Sequence, residues 1–218
     1  MQAAYTMVIA RKAYVESSGL KTLADMLKAP TAPRIGLKPT GSQAPIIADM
    51  LFKAEAGLTL ADLRAKGVIT QAAHGQLTSM FADGRLDVYV ENAPAGTATV
   101  TEMTLTNEMV SIPISQTALA ALAKLGLPTC DMPKDTFRGQ SAAYPNPVSA
   151  TILIANAQTP EETVYDVIKT LVDHRDFIGA QHAALKYSDP KAGCQPENAV
   201  LALHPGAARL CKELGYIK

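Results

Sequence analysis

Residues 34–44 read Arg-Ile-Gly-Leu-Lys-Pro-Thr-Gly-Ser-Gln-Ala, and the chain stays rich in regularly spaced apolar residues as far as Ala56. This stretch predicts a short strand over 34–38, a turn at 39–42 and a helix after it. Gly41 can adopt backbone angles that let a ligand approach closely, and the first amides of a helix attract anions. The same pattern is also typical of an ordinary helix cap in a tight turn.

Short apolar segments alternate with helical periodicity along the rest of the chain. Strands are predicted at 5–10, 34–38, 68–70, 86–90, 109–114 and 150–155. Helices are predicted at 19–28, 44–56, 60–66, 75–82, 116–125, 160–174, 177–185 and 206–215. This alternation predicts an α/β protein with a mostly parallel sheet and crossover helices. Residues 126–149 contain many prolines and no clear periodicity, so we expect a loop-rich linker there.

The composition is globular and its charge is balanced. Lys plus Arg number 20 and Asp plus Glu number 20, so electrostatics give no case for nucleic acid or an anionic membrane as a partner. No apolar run approaches the roughly 18 uncharged residues of a membrane helix. Arg11 and Lys12 follow the first apolar segment, whereas a signal peptide places basic residues before it, so we expect no signal peptide here.

Neither the spacing of the cysteines nor a catalytic motif indicates an active site or a metal site. The three cysteines Cys130, Cys194 and Cys211 fit neither a zinc site nor a dense disulfide framework. We expect buried or half-buried free thiols, with one Cys194–Cys211 disulfide as the alternative. The sequence has neither Gly-x-Ser-x-Gly nor His-Glu-x-x-His. We therefore predict no catalytic residue, no metal ligand and no cofactor.

A second candidate site lies at the end of the 86–90 strand, which leads into Glu91, Asn92, Ala93 and Pro94. Ligands of open α/β sheets bind at the carboxyl ends of the strands, which makes Tyr89 and Asn92 candidates. Asn92 equally suits a cap of the next helix, since 92–96 is predicted to turn and Pro94 to begin that helix. His204, before Pro205, is predicted to have a structural role.

Taken in order, these segments resemble the solute-binding receptors of TRAP transporters of the TAXI type. The matching pieces lie at 18–26, 36, 41–42, 57–63, 83–89, 136–140, 160–165 with Lys169, 203–209 and 212–215. Residues 203–209, Leu-His-Pro-Gly-Ala-Ala-Arg, are the most specific of them. The resemblance implies a type II periplasmic-binding-protein fold, in which two Rossmann-like α/β lobes close on a small acid. The Gly/Ser/Thr-rich turn that opens the family's sequences has no match here, so the first lobe is expected to be incomplete.

The resemblance also implies a domain division, a site and partners. Residues 13–140 would form the second lobe, and 1–12 with 141–218 the crossing strands and the rest of the first. The solute would be a small carboxylate such as an amino acid or dicarboxylate, bound in the periplasm and delivered to TRAP membrane subunits. Its predicted ligand-binding residues are Thr40, Gly41, Ser42, Gln43, Tyr89 and Asn92.

Two alternatives stay open. A shortened relative with exposed sheet edges and apolar surface would be an interaction module that forms a homodimer and binds no solute. An enzyme on a similar scaffold would need a nucleophile–base pair, such as Cys130 with a histidine.

Overall fold

The computed structural model describes residues 2–181, 185–186, 188–198 and 201–218. The strands are β1 (Gln2–Arg11), β2 (Ile35–Leu37), β3 (Ile69–Gln71), β4 (Val88–Pro94), β5 (Met109–Ser111), β6 (Thr129–Met132) and β7 (Tyr144–Thr151). The helices are α1 (Lys12–Ser18), α2 (Leu23–Lys28), α3 (Gln43–Ala56), α4 (Leu60–Ala65), α5 (His74–Ala82), α6 (Ala98–Thr106), α7 (Gln116–Lys124), α8 (Glu161–Asp173), α9 (Arg175–Gln181), α10 (Pro190–Cys194) and α11 (Pro205–Glu213). Pro196–Asn198 form a 3-10 turn. The predicted α/β class is confirmed.

The strands of the described chain form one mixed sheet with the order β3-β2-β4-β1-β7-β6, and β5 pairs with β1. β2 is parallel to both β3 and β4, whereas β1 with β5 and β6 with β7 are antiparallel. The predicted parallel pairing is therefore confirmed for β3-β2-β4, whereas the β1–β5 and β6–β7 pairs are antiparallel. The carboxyl ends of these three strands lie at one edge of the sheet, which we call the carboxyl edge.

Residues 126–149, predicted as a linker, instead contain β6 and most of β7. Pro145 and Pro147 stand opposite Asp131 and Thr129 in this pair. Prolines are rare inside strands because they donate no hydrogen bond, and here they hid the strand pattern. β7 ends at Thr151, so the prediction of a buried strand over 150–155 was also wrong. Ile152, Leu153 and Ile154 are 37%, 70% and 72% exposed.

Two further boundaries differ from those predicted. The predicted helix 19–28 begins only at Leu23, as α2, and the helix α1 that precedes it was not predicted; Gly19 ends α1 with a left-handed φ of 69° and donates its N–H to Val15. The predicted turn at 92–96 is confirmed only at residues 95–96, since β4 continues to Pro94 and α6 begins at Ala98. In this extension of β4, the Asn92 side chain donates a hydrogen bond to Thr6 of β1 and accepts one from Ser149 of β7.

The described chain divides into two compact units, Tyr5–Ser149 (the large unit) and Met1–Ala4 with Ala150–Lys218 (the small unit). The predicted lobe boundaries at 13 and 140 stay a prediction. In the large unit, helices cover both faces of the sheet. Successive strand residues point to opposite faces, so Val88 and Val90 pack with α2, α3, α4 and α7, whereas Tyr89 packs with α5 and α6.

Candidate functional site

The first part of the candidate site is the turn between β2 and α3. Gly41 has a φ of 97°, a left-handed conformation that favours glycine. Ser42 donates both its amide (3.2 Å) and its hydroxyl (2.8 Å) to the carbonyl oxygen of Pro39. Its hydroxyl therefore caps no amide of α3, and the start of this 14-residue helix has no side-chain cap. Uncapped first amides and the positive end of the helix dipole together suit an anion.

The neighbouring strand β3 contributes a polar residue to the same edge. Gln71, its last residue, donates from Nε2 to the carbonyl oxygen of Lys38 at 3.0 Å. The Gln71 Oε1 accepts from Arg64 Nη2 at 2.5 Å and from Thr40 Oγ1 at 3.4 Å. These contacts join the β2–α3 turn to β3 and place a guanidinium beside it. Sequence analysis missed Arg64 and Gln71, because only the pairing of β2 with β3 brings them to the turn.

The second part of the site is an ion pair between β4 and the end of β2. Lys38 Nζ lies 3.0 Å from Glu91 Oε2, and the Glu91 side chain is 0% exposed. The hydroxyl of Tyr89 donates to the same carboxylate, and the amide of Asn92 donates to Oε1 at 2.8 Å. Burial and the Glu91 carboxylate both raise the pKa of the Tyr89 hydroxyl, so this hydroxyl stays a neutral donor.

Tyr89 and Asn92 lie close to this pair but are engaged by the protein. Tyr89 is fully buried and packs edge-to-face on Phe81, with 5.9 Å between ring centroids. Asn92 donates to Thr6 Oγ1 and accepts from Ser149 Oγ, both at 3.1 Å. The structure thus groups Thr40, Gly41, Ser42 and Gln43 at the turn and holds the other two predicted residues within the strands. Ligand contact by any of the six stays a prediction.

His74, the first residue of α5, adds an imidazole near the Lys38–Glu91 pair. Its Nε2 is 3.2 Å from Thr78 Oγ1, and its buried Nδ1 has no hydrogen-bond partner among the described residues. Burial lowers the pKa of His74, a shift that Glu91 opposes and Lys38 supports. The ring is therefore neutral at pH 7. Its position could not be predicted, because the sequence offers no motif that includes it.

The 203–209 segment lies in the small unit, and its side chains make contacts within the protein. His204 Nδ1 accepts the amide of Gly206 at 3.3 Å, which leaves Nε2 to donate to Thr159 O at 3.1 Å. A Cβ on Gly206 would lie 2.2 Å from the carbonyl oxygen of Glu161, so α11 packs directly on α8. Arg209 lies over the Tyr165 ring at 3.9 Å. These contacts support the structural role predicted for His204.

The cysteines follow the alternative prediction of one Cys194–Cys211 disulfide, whereas the expectation of buried or half-buried free thiols was wrong. Cys194 and Cys211 form a disulfide that joins α10 to α11, whereas Cys130 is free and exposed. The Cys130 sulfur lies 4.0 Å from the carbonyl oxygen of Asp131. Among the described residues, no cluster of His, Cys, Asp or Glu could hold a metal ion. In the same part of the chain, none of the helices has the length and apolarity to cross a membrane.

Comparison with known proteins gives one family match over almost the whole chain. The sequence model of the NMT1-like family matches residues 4–215. Three similar solved structures are a histidine kinase sensor domain with similarity to periplasmic binding proteins, a glycine betaine/carnitine/choline ABC transporter, and apo YehZ from Escherichia coli. Their identities are 15%, 15% and 12%, and their TM-scores 0.35, 0.37 and 0.37. The alignments cover 85%, 98% and 99% of this chain but only 58%, 61% and 64% of those chains.

Proposed function

The chain belongs to the NMT1-like family, and on that premise we propose that it is a solute-binding protein for a small carboxylate. The observation that carries the proposal is the uncapped start of α3 at the carboxyl edge, where Ser42 donates its hydroxyl backward to Pro39. The carboxylate takes the place of the missing cap and accepts hydrogen bonds from the first amides of the helix.

Four residues of the turn and helix start form the binding surface. Gly41 presents its backbone without a side chain, and a Cβ there would meet nothing within 4 Å. Ser42 and Gln43 bring the first amides of α3 to the solute, and Thr40 lies beside them against Gln71. Arg64, held by the same Gln71, adds positive charge near the bound anion.

The wider role follows from the resemblance to TAXI-type receptors. The protein works in the periplasm and delivers its solute to TRAP membrane subunits, without a cofactor and without catalysis. The Cys194–Cys211 disulfide supports this location, because disulfides form and persist in oxidising compartments. The solute that the resemblance implies is an amino acid or a dicarboxylate.

The proposal is tested by calorimetric titration of the whole chain with a panel of small carboxylates that includes succinate and glutamate. At least one of them is expected to bind. Ser42→Ala removes the hydroxyl–Pro39 hydrogen bond that holds the turn, and it is then expected to weaken that binding by about two- to tenfold, the usual effect of one lost hydrogen bond. Ser79→Ala is the control, since Ser79 also donates its hydroxyl to a backbone carbonyl, at 3.1 Å, away from the turn. Absence of binding across the panel would contradict the proposal.

A second candidate function is a homodimeric interaction module without a solute, and one observation favours it. The small unit carries most of the large apolar side chains that the described chain exposes. They are Ile152, Leu153, Ile154, Val167, Leu171, Phe177, Leu201 and Leu214. Apolar surface of this kind often marks an interface. Analytical ultracentrifugation, which gives the oligomeric state, and the calorimetric titration together distinguish the two functions. A dimer that binds no carboxylate supports the interaction module, and a monomer that binds one supports the receptor.

A further inference from the structure

We propose that Lys38 is a second anion-binding residue of the carboxyl edge, so that the site prefers solutes with two negative groups over solutes with one. This inference rests on the proposed function, because the first negative group is the carboxylate held at the start of α3. Its own basis is the Lys38–Glu91 pair, which no sequence motif assigns to a site.

Glu91 holds the Lys38 ammonium in one place. The Glu91 carboxylate is 0% exposed and already accepts hydrogen bonds from the Tyr89 hydroxyl and the Asn92 amide. Lys38 supplies the positive charge that a buried carboxylate needs, at 3.0 Å. Withdrawal of Lys38 would leave a buried charge unpaired, so this lysine lacks the freedom of an ordinary surface lysine. A fixed ammonium loses little conformational entropy when it binds a ligand.

Lys38 nevertheless remains accessible to a solute. Its side chain is 29% exposed, and an ammonium has three donors, of which Glu91 uses one. Lys38 directly follows β2, and the turn that leads to α3 begins at the next residue, Pro39. The ammonium and the helix start thus lie at the same edge of the sheet, from which two negative groups of one small solute can be held.

The charged groups around Lys38 leave it suited to this role. Glu91 is directed into the protein and engaged by three donors. His74 is neutral at pH 7 and adds no charge, while Glu102, the other carboxylate that acts on His74, is exposed to solvent. Arg64 adds positive charge at the Gln71 end of the same edge.

The test compares succinate with butyrate, which has the same four-carbon chain but one carboxylate, by NMR titration of the whole protein. The wild type is expected to bind succinate about tenfold or more tightly than butyrate, the usual effect of one charge-assisted hydrogen bond. Lys38→Met combined with Glu91→Gln removes both charges and leaves no unpaired buried carboxylate. This double variant is expected to bind butyrate as the wild type does and to lose the preference for succinate.

Lys38→Arg keeps the positive charge and is expected to keep the preference for succinate over butyrate. This variant provides a second test in case the double variant fails to fold. If the double variant retains the preference, or Lys38→Arg loses it, the role of Lys38 is overturned while butyrate binding leaves the proposed function intact. A wild type that binds both acids equally also overturns the role of Lys38 alone. A wild type that binds neither acid also overturns the role of Lys38, whereas carboxylate binding at α3 is overturned only if every acid of the calorimetric panel fails to bind.

Discussion

Lys38 Nζ lies 3.0 Å from Glu91 Oε2, and this contact is the only ion pair among the described residues in which one partner is wholly buried. Glu91 projects from the middle of β4, and Lys38 follows the last residue of β2, so the pair joins two adjacent parallel strands at the carboxyl edge. Removal of one charge leaves the other without its partner, so the effects of the two single substitutions on stability should not add.

Loss of the lysine alone is expected to be more damaging than loss of both charges. Lys38→Met leaves Glu91 charged, buried and unpaired, so the free energy of unfolding should fall by about 3–5 kcal/mol. The Lys38→Met/Glu91→Gln double variant should recover a large part of this loss. Urea unfolding of the wild type, both single variants and the double variant measures the coupling. A Lys38→Met variant as stable as the wild type would show that solvent compensates the Glu91 charge.

The pair formed by Arg34 and Asp87 is expected to make stability depend on pH in the acid range. Arg34 donates from its amide, Nε and Nη2 to the Asp87 carboxylate, at 2.9, 2.8 and 2.6 Å. Burial raises the pKa of Asp87, but the Arg34 hydrogen bonds outweigh it and the net pKa is lowered. The stabilisation is therefore complete above the unfolded-state pKa of about 3.9 and is lost as pH falls through the lower folded-state value.

Asp87→Asn tests this relationship. At pH 7 the variant should be less stable than the wild type by about 1.5–3 kcal/mol, the range for hydrogen bonds to a charged group. Urea unfolding between pH 7 and pH 2.5 should show the difference shrinking below about pH 4. A difference that stays constant over this range would contradict the lowered pKa of Asp87.

The close packing of α11 on α8 predicts that Gly206 accepts no side chain. A Cβ at this position would lie 2.2 Å from the Glu161 carbonyl oxygen and 2.8 Å from the Tyr165 nitrogen. Gly206→Ala should therefore lower stability by about 1–3 kcal/mol, as overpacking does. Gly75→Ala is the matched control, because that helical glycine has nothing within 4 Å of an added Cβ, and it should be neutral or slightly stabilising. Equal stability of the two variants would contradict the contact.

The Cys194–Cys211 disulfide is expected to stabilise the small unit. Its partners are 17 residues apart, and a loop of about that length gives a stabilisation of about 3 kcal/mol. The Cys194→Ala/Cys211→Ala variant should be less stable by about that amount in urea. Without reductant, maleimide labelling followed by mass spectrometry should modify the single exposed thiol of Cys130. Modification of all three cysteines under those conditions would exclude the disulfide.

Local features of this fold were predictable from the sequence. The Thr59-x-x-Asp62 spacing predicts a capping box, and the two residues form one at the start of α4, because both lie within one helical turn. The turn at Gly41 and the helix after it were also predicted, because the residues that determine them are neighbours in the sequence. The predicted turn residues do lie together at the carboxyl edge, since consecutive residues cannot separate.

Features that depend on strand pairing were not predictable in this way. Lys38 and Glu91 each stood in a stretch that the sequence singled out, but only the pairing of β2 with β4 joins them. The β6–β7 pair was missed because Pro145 and Pro147 interrupt the alternation that identifies a strand. The apolar residues after Thr151 have the composition of a buried strand, but an apolar run does not reveal whether a neighbouring strand covers it.

The most direct test of the central claim, that a carboxylate binds the first amides of α3, removes one such amide without disturbing the helix. Gln43 is the first residue of α3, where proline is favoured, and Ser42 has φ −83° and ψ 162°, which a following proline allows. Gln43→Ala removes only the side chain, whereas Gln43→Pro also removes the N–H. Titration with succinate should show Gln43→Pro binding about tenfold or more weakly than Gln43→Ala, the effect of one hydrogen bond to a charged group. Equal affinity of the two variants would contradict carboxylate binding at these amides.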